Sequence, residues 1–163
     1  MWPFKKDSAK SYREPQPNDW VLGQGTRDGF PMLVRMADCY TGLAPLPAYD
    51  HHVIVSVHFR NRQLNGFPSS EEGDDLESLE RSLCHLLETG NDTLGVLVVT
   101  NNGLRDFIFY TRNVEEVRRK IDDSVSLFQG FVTEVMIEPD PGWDIFQAFC
   151  RMLGRNASPK RVN

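Results

Sequence analysis

The chain has 163 residues, 40% of them hydrophobic and 25% charged, proportions that exclude wholesale disorder, a collagen-like repeat and a coiled-coil rod. No stretch approaches the ~20 consecutive apolar residues of a membrane-spanning helix. The net charge is −5, and with eight of the 18 basic residues and one of the 23 acids gathered at the two ends, the stretch 14–150 carries −12, the opposite of what a polyanion binder needs.

Residues 5–19 are polar, with Pro15 and Pro17 among them; the expectation is a flexible tail over 1–19, basic through Lys5, Lys6, Lys10 and Arg13. Met1 to Lys6 lacks the apolar run of a secretory signal. Trp20 to Gln24 is a strand candidate. Asp28-Gly29 is a turn signal, and Phe30 to Met36 completes a hairpin. The Gly- and Pro-rich stretch 41–50 is a loop. Val53, Val55, Val57 and Phe59 then alternate with Ser56, His58 and Arg60, which is strand periodicity. After the Asn65-Gly66-Phe67-Pro68 loop, Ser69 and Glu72 have capping-box spacing, with Gly73 shifting the expected helix start toward Asp74. Leu76, Leu79, Leu83, Leu86 and Leu87 recur at helical spacing up to Thr89-Gly90.

Leu94 to Val99 reads as a buried strand. Asn102-Gly103 reads as a hairpin turn, with Leu104 to Thr111 the partner strand. Asn113 and Glu116 can cap a helix that carries Val114, Val117, Ile121 and Val125 on one face. Phe131 to Ile137 is the last strand. Asp140 and Pro141 stand where an N-cap and a first helical residue would stand, and Phe146, Phe149, Cys150 and Leu153 stripe the closing helix.

The fold class is therefore α+β. From 52 to 138 the order is strand, helix, strand, strand, helix, strand, the ferredoxin-like βαββαβ unit, with an added N-terminal β-hairpin and a C-terminal helix. One domain covers 20–153, and 154–163 form a second, basic tail. The order places 53–60 beside 104–111 at the centre of an antiparallel sheet, with both long helices on one face. The opposite face also carries apolar residues such as Ile54 and Ile108, so the hairpin or the last helix is expected to cover it.

Chemistry-bearing motifs are few. His51 and His52 are adjacent and diverge on a strand, and no zinc, EF-hand or HExxH spacing occurs, so neither a metal nor a cofactor is expected. Cys39, Cys84 and Cys150 are odd in number and widely spaced, which fits reduced thiols in a cytoplasm. The strand Leu104-Arg105-Asp106-Phe107-Ile108-Phe109-Tyr110 places aromatics as the third strand of an RNA-recognition domain does. It lacks the basic-Gly start of that motif, and Asp106 repels phosphate.

The same strand, following Asn102-Gly103, resembles the bacterial domain-of-unknown-function family 695, whose pattern is Gly, any residue, Arg, an acid, then an aromatic run ending in Tyr. Asn65-Gly66-Phe67-Pro68 is similar to that family's loop before its first long helix. Leu76-Glu77-Ser78-Leu79-Glu80 is similar to its Leu-x-x-Leu-Glu helix, and Asp140-Pro141-Gly142-Trp143 to its Asp-Pro-x-Trp ending. The resemblance spans about 20–153 and implies a ferredoxin-like fold, with no activity established for the family. The ending is also similar to that of protein inhibitors of ribonuclease E.

These readings converge on a non-enzymatic, cytoplasmic binding or regulatory module that acts through a protein partner. The second reading is a small-molecule-sensing ferredoxin-like domain, of a kind built as a homodimer; an RNA-associated regulator comes third, and nucleic acid is not the expected partner. The candidate binding residues are Glu80, Arg105, Asp106, Tyr110, Asp140 and Trp143. An enzyme would use Arg105, Asp106 and Tyr110 with Asp140 near them. A guanidinium at the entry to a central strand needs a partner, so Arg105 is expected to meet the carboxylate of Glu80 or Asp140.

Overall fold

The computed structural model describes residues 20–155; the expected N-terminal tail, 1–19, and residues 156–163 lie outside them. Two strands, β1 (Trp20–Arg27) and β2 (Phe30–Ala37), form the first hairpin. They are followed by β3 (His51–His58), α1 (Ser70–Glu88), β4 (Thr93–Asn101), β5 (Leu104–Thr111), α2 (Val114–Asp122), β6 (Val132–Pro139) and α3 (Asp144–Met152). Both tight hairpins close on the residue pairs that the turn geometry demands. Asp28 and Gly29 have φ of 53° and 80°, and Asn102 and Gly103 have 48° and 82°, the two left-handed residues of a turn whose twist matches the strands.

The strands form one six-stranded sheet in the order β1-β2-β4-β5-β3-β6, antiparallel at every step. The central pairing is the expected one, with Val53 opposite Phe109 and Val55 opposite Phe107. The N-terminal hairpin does not cover the second face. It extends the sheet in its own plane, because β2 pairs along β4 from Met32–Asn101 to Met36–Leu97. That register puts Met32, Val34 and Met36 on the same face as Val99 and Leu97, where all five are buried.

Two apolar layers flank the sheet. On one face Leu76, Leu79, Leu83 and Leu87 of α1 and Val117 of α2 pack on Val53, Val55, Val57, Phe107 and Phe109. Each α1 leucine contributes about 1.5–3 kcal/mol by burial, more than its ~1 kcal/mol cap, so packing rather than capping holds this helix. The cap exists nonetheless. Ser69 accepts from the Glu72 amide at 3.2 Å, so α1 starts at Ser70, ahead of Gly73. On the other face α3 and the segment 38–50 bury Tyr40, Ala44, Leu46, Tyr49, Trp143, Phe146 and Cys150 against Met36, Leu94, Ile108 and Tyr110. This cover is partial: on that face Ile54 is half-buried and His58 is exposed, while Arg60, just past the end of β3, turns to the α1 side and pairs with Glu72 and Asp75.

Helix ends differ from the expected ones where side-chain chemistry intervenes. α2 stops at Asp122, and Val125, expected on its buried face, sits in a short 3-10 turn, Val125–Phe128, and is 70% exposed. Asp122 and Asp123 meet the negative end of the helix dipole there, which disfavours a further turn. α3 starts at Asp144 rather than Pro141, with Trp143 before it in the left-handed region at φ 55°. At its other end Gly154 (φ 67°) and the Arg155 amide, which donates to Cys150 O at 2.7 Å, close the helix, as a glycine C-terminal cap does.

Candidate functional site

The six residues singled out in the sequence fall in three places. Tyr110, Asp140 and Trp143 lie in the core at the start of α3. The Tyr110 hydroxyl donates to Asp140 Oδ2 at 2.6 Å and accepts from the Phe146 amide at 3.3 Å. Asp140 Oδ1 accepts from the Asp144 amide at 2.8 Å, and Oδ2 from that of Ile145 at 3.3 Å. Asp140 thus caps α3 from three residues before its formal N-cap. The Trp143 ring stacks on Tyr110, centroids 4.0 Å apart, and its Nε1 donates to Tyr49 O at 2.8 Å. Burial first, and then the Asp140 carboxylate, pushes the Tyr110 phenol far above its ordinary range. Every polar atom of this trio is spent inside the protein, and it holds α3 to the sheet.

His52, weighed in the sequence only as half of a diverging histidine pair, completes the cluster. It is buried, with Glu138 and Asp140 carboxylates at 3.8 and 3.9 Å, and neither ring nitrogen makes a hydrogen bond.

Asp106 faces the same side of the sheet but lies farther along β5, where Ser56 Oγ donates to it at 2.6 Å. Burial holds its carboxyl above the ordinary range, against the opposing pull of the Ser56 hydrogen bond, Arg27 and His58. Consecutive strand residues point to opposite faces, so Arg105 projects to the α1 side. There it joins Glu80, and these two alone of the six share a solvent-open site.

That site is a groove between α1 and the β1–β2 extension. Two hollows of about 520 and 490 Å³ share Arg35, Glu77 and Glu80. Trp20, Cys84 and His85 line one end; Leu22, Leu33, Thr100 and Arg105 line the other. The groove exists because the hairpin lengthens the sheet past the flank of α1. The expected Arg105–carboxylate contact is absent. Glu80 pairs with Arg35 instead, whose guanidinium also lies 5.2 Å from the Trp20 ring centroid, and Asp140 is on the opposite face. Arg105 Nε donates to Thr100 Oγ1 at 2.9 Å, and no carboxylate among the described residues comes within ion-pair distance of it. Burial pushes the Arg105 pKa down, the nearby Glu80 charge raises it, and the Arg35 charge lowers it again. Arg35 was missed in the sequence, although a lone arginine within the apolar run Phe30 to Ala37 was a visible signal.

Two of the family-like segments meet directly. Gly103 N donates to Gly66 O at 2.7 Å, and Phe59 N to Gly103 O at 2.8 Å. Gly66 has φ +84°, and a Cβ there would stand 2.7 Å from Asn102 Cα. The Asn-Gly loop and the Asn-Gly turn therefore pack backbone on backbone, which only glycine permits. This contact seats the loop that leads into α1 and so sets the position of Glu77 and Glu80.

Fold and site together define an α+β protein built on one antiparallel sheet, with a charged groove beside its longest helix. The family of unknown function DUF695 matches residues 18–150, and the chain belongs to it. No curated protein and no solved structure matches the chain. Among the described residues no helix is long and apolar enough to cross a membrane.

Proposed function

We propose that the chain is a non-enzymatic, cytoplasmic binding module with a regulatory role, and that it holds a segment of a protein partner in the groove between α1 and the β1–β2 extension. The observation that carries this reading is Arg105. Its guanidinium has five N–H donors, is half-buried, and uses one of them within the protein. An acceptor on a bound partner would fill the others, and a charge-assisted bond in a groove is worth roughly twice a neutral one. Leu22 and Leu33, 82% and 41% exposed, offer apolar contact on the wall facing it.

A non-enzymatic role is supported by the separation of the candidate acid, base and cation. Arg105, Asp106 and Tyr110 address the groove, the opposite face and the core, so no single substrate can meet all three. The reduced cysteines read from the sequence support the cytoplasmic setting.

The second reading, a small-molecule sensor, draws on the hollow of about 520 Å³, within the ordinary range for ligand pockets. Small-molecule sites enclose most of the ligand in apolar walls, whereas this groove is open and bordered by Arg35, Glu77, Glu80 and Arg105, which favours an extended peptide. Affinity capture with the tagged chain and its Arg105→Leu variant tests the proposal. A protein retained by the parent and depleted about tenfold by the variant, with melting temperatures matched, is expected for one lost charge-assisted contact. Identical protein recovery from both would contradict it, and a metabolite released from the purified parent on denaturation would transfer the groove to the sensor reading.

A further inference from the structure

At the far edge of the sheet from that groove, β6 has a strand partner on one side only, β3. Every second residue of an antiparallel edge strand turns its N–H and C=O outward, and no strand among the described residues receives them from β6. Natural edges are blunted by charged side chains, above all Lys, by Pro and by bulges. The sequence Val132-Thr133-Glu134-Val135-Met136-Ile137-Glu138 carries two glutamates but no Lys, and no Pro before Pro139, and its register with β3 is unbroken. Val132, Val135 and Met136 are 68%, 42% and 49% exposed.

The two faces beside this edge differ in chemistry. On the α2 side an open groove of about 660 Å³ is lined by Ile121, Val125, Phe128, Phe131 and Val135. Thr133, also in its lining, has a buried hydroxyl with no hydrogen-bond partner. On the other side the register alternates Val132, Glu134, Met136 and Glu138 against His58, Ser56, Ile54 and His52, and the Glu134 and Glu138 side chains are 75% and 61% exposed.

We propose that the outer edge of β6 is a docking edge for an extended, basic segment of another protein, which adds a seventh strand to the sheet. Main-chain hydrogen bonds supply the affinity in such strand addition, and alternate side chains supply the specificity. Here the apolar side chains of the added strand enter the groove of Val125, Phe128 and Phe131, and its lysines or arginines lie over Glu134 and Glu138. The negative charge of the body favours the same partner. A second copy of this chain fits less well. Pairing two β6 strands about a two-fold axis perpendicular to the sheet sets Glu134 or Glu138 opposite or diagonal to a glutamate of the other copy in every close register, and like charges so placed are destabilising.

The test uses the full chain and a fluorescein-labelled peptide amide of alternating Lys and Val, followed by anisotropy. A peptide of equal charge that alternates Lys and Pro cannot pair with a strand and serves as control. The Lys-Val peptide is expected to bind and the Lys-Pro peptide to bind far more weakly. Glu134→Lys with Glu138→Lys is expected to weaken binding about tenfold, since each reversal turns an attractive cross-strand charge pair into a repulsive one. Val135→Lys should weaken it as well; if that variant does not fold, the exposed glutamate pair decides. Equal binding of both peptides, or unchanged binding by the glutamate variant, overturns the proposal. So does sedimentation showing a dimer of the parent that Val135→Lys dissociates, because the occupant is then a second copy. Arg105→Leu leaves Lys-Val binding unchanged, which separates this edge from the groove.

Discussion

Replacing Tyr110 by Phe removes one oxygen atom from the core and leaves every ring contact in place. The lost hydroxyl is the donor to Asp140 Oδ2 at 2.6 Å and the acceptor for the Phe146 amide at 3.3 Å. Tyr110 is fully buried and Asp140 is 7% exposed, so water does not readily replace the missing partner. A hydrogen bond to a charged group in such a place is worth about 1.5–3 kcal/mol. The stacking of Trp143 survives, because it uses the ring. For a domain of this size each kcal/mol moves the melting temperature by about 2–4 °C, so Tyr110→Phe should lower it by about 3–12 °C in calorimetry. A double-mutant cycle with Asp140→Asn, read by urea unfolding, should give a coupling of about 1–2 kcal/mol, as for residues sharing one network. A melting temperature within about 1 °C of the parent, or additive effects in the cycle, would refute the assignment of this pair as the anchor of α3.

Gly66→Ala sets a Cβ 2.7 Å from Asn102 Cα at a φ of +84°; it should destabilise the fold by about 1–3 kcal/mol, measured by chemical denaturation, and a neutral result would show that the loop and the turn are not in contact. Glu72 is 3% exposed and accepts from Arg60 Nε at 2.8 Å and from the amides of Arg60 and Asn61 at 3.0 and 3.2 Å. Burial pushes its carboxyl up, but these hydrogen bonds outweigh burial and hold it below the ordinary range. Its contribution is therefore present above the unfolded carboxylate pKa and lost as pH falls through the folded value. Glu72→Ala should cost about 1–3 kcal/mol at neutral pH by stranding those donors, with a smaller difference from the parent in acid; an equal difference at both pH values would contradict the sign. Burial likewise raises the phenols of Tyr40 and Tyr110 well above their ordinary 10.0. The unfolded chain then releases protons above about pH 10 that the folded chain keeps, so stability should fall by about 1.4 kcal/mol per pH unit for each phenol; denaturant titrations across that range should show a shallower decline in Tyr110→Phe than in the parent.

Much of the fold was legible because its signals are local. Val53 to Phe59 alternate, the leucines of α1 recur at helical spacing, and Asp28-Gly29 and Asn102-Gly103 each specify a two-residue turn. The in-plane extension by the first hairpin was not legible. Edge-to-edge pairing uses backbone groups that every sequence carries, whereas side-chain period reports only which face is buried. The end of α2 was misread because Val125 keeps the apolar spacing while Asp122 and Asp123 end the helix. In the site, Arg105 stood out as a guanidinium at the entry to a central strand and Glu80 as one of its two expected carboxylate partners, and they do share a groove. Their pairing did not follow, since Arg35 arrives from a strand 45 residues away from Glu80 in sequence. Tyr110, Asp140 and Trp143 illustrate a different limit. An acid and two aromatics, carried by two separate family-like segments, fit a recognition surface and a buried anchor equally well, and only burial tells them apart.

The claim at the centre of this account is that the groove beside α1 is the working surface. The most direct measurement is amide hydrogen exchange on the chain, free and in complex with the protein captured by the parent but not by Arg105→Leu. The account predicts added protection in β1, β2 and the flank of α1 from Glu77 to Glu88. Unchanged exchange in those segments, with protection elsewhere on the sheet, would contradict it.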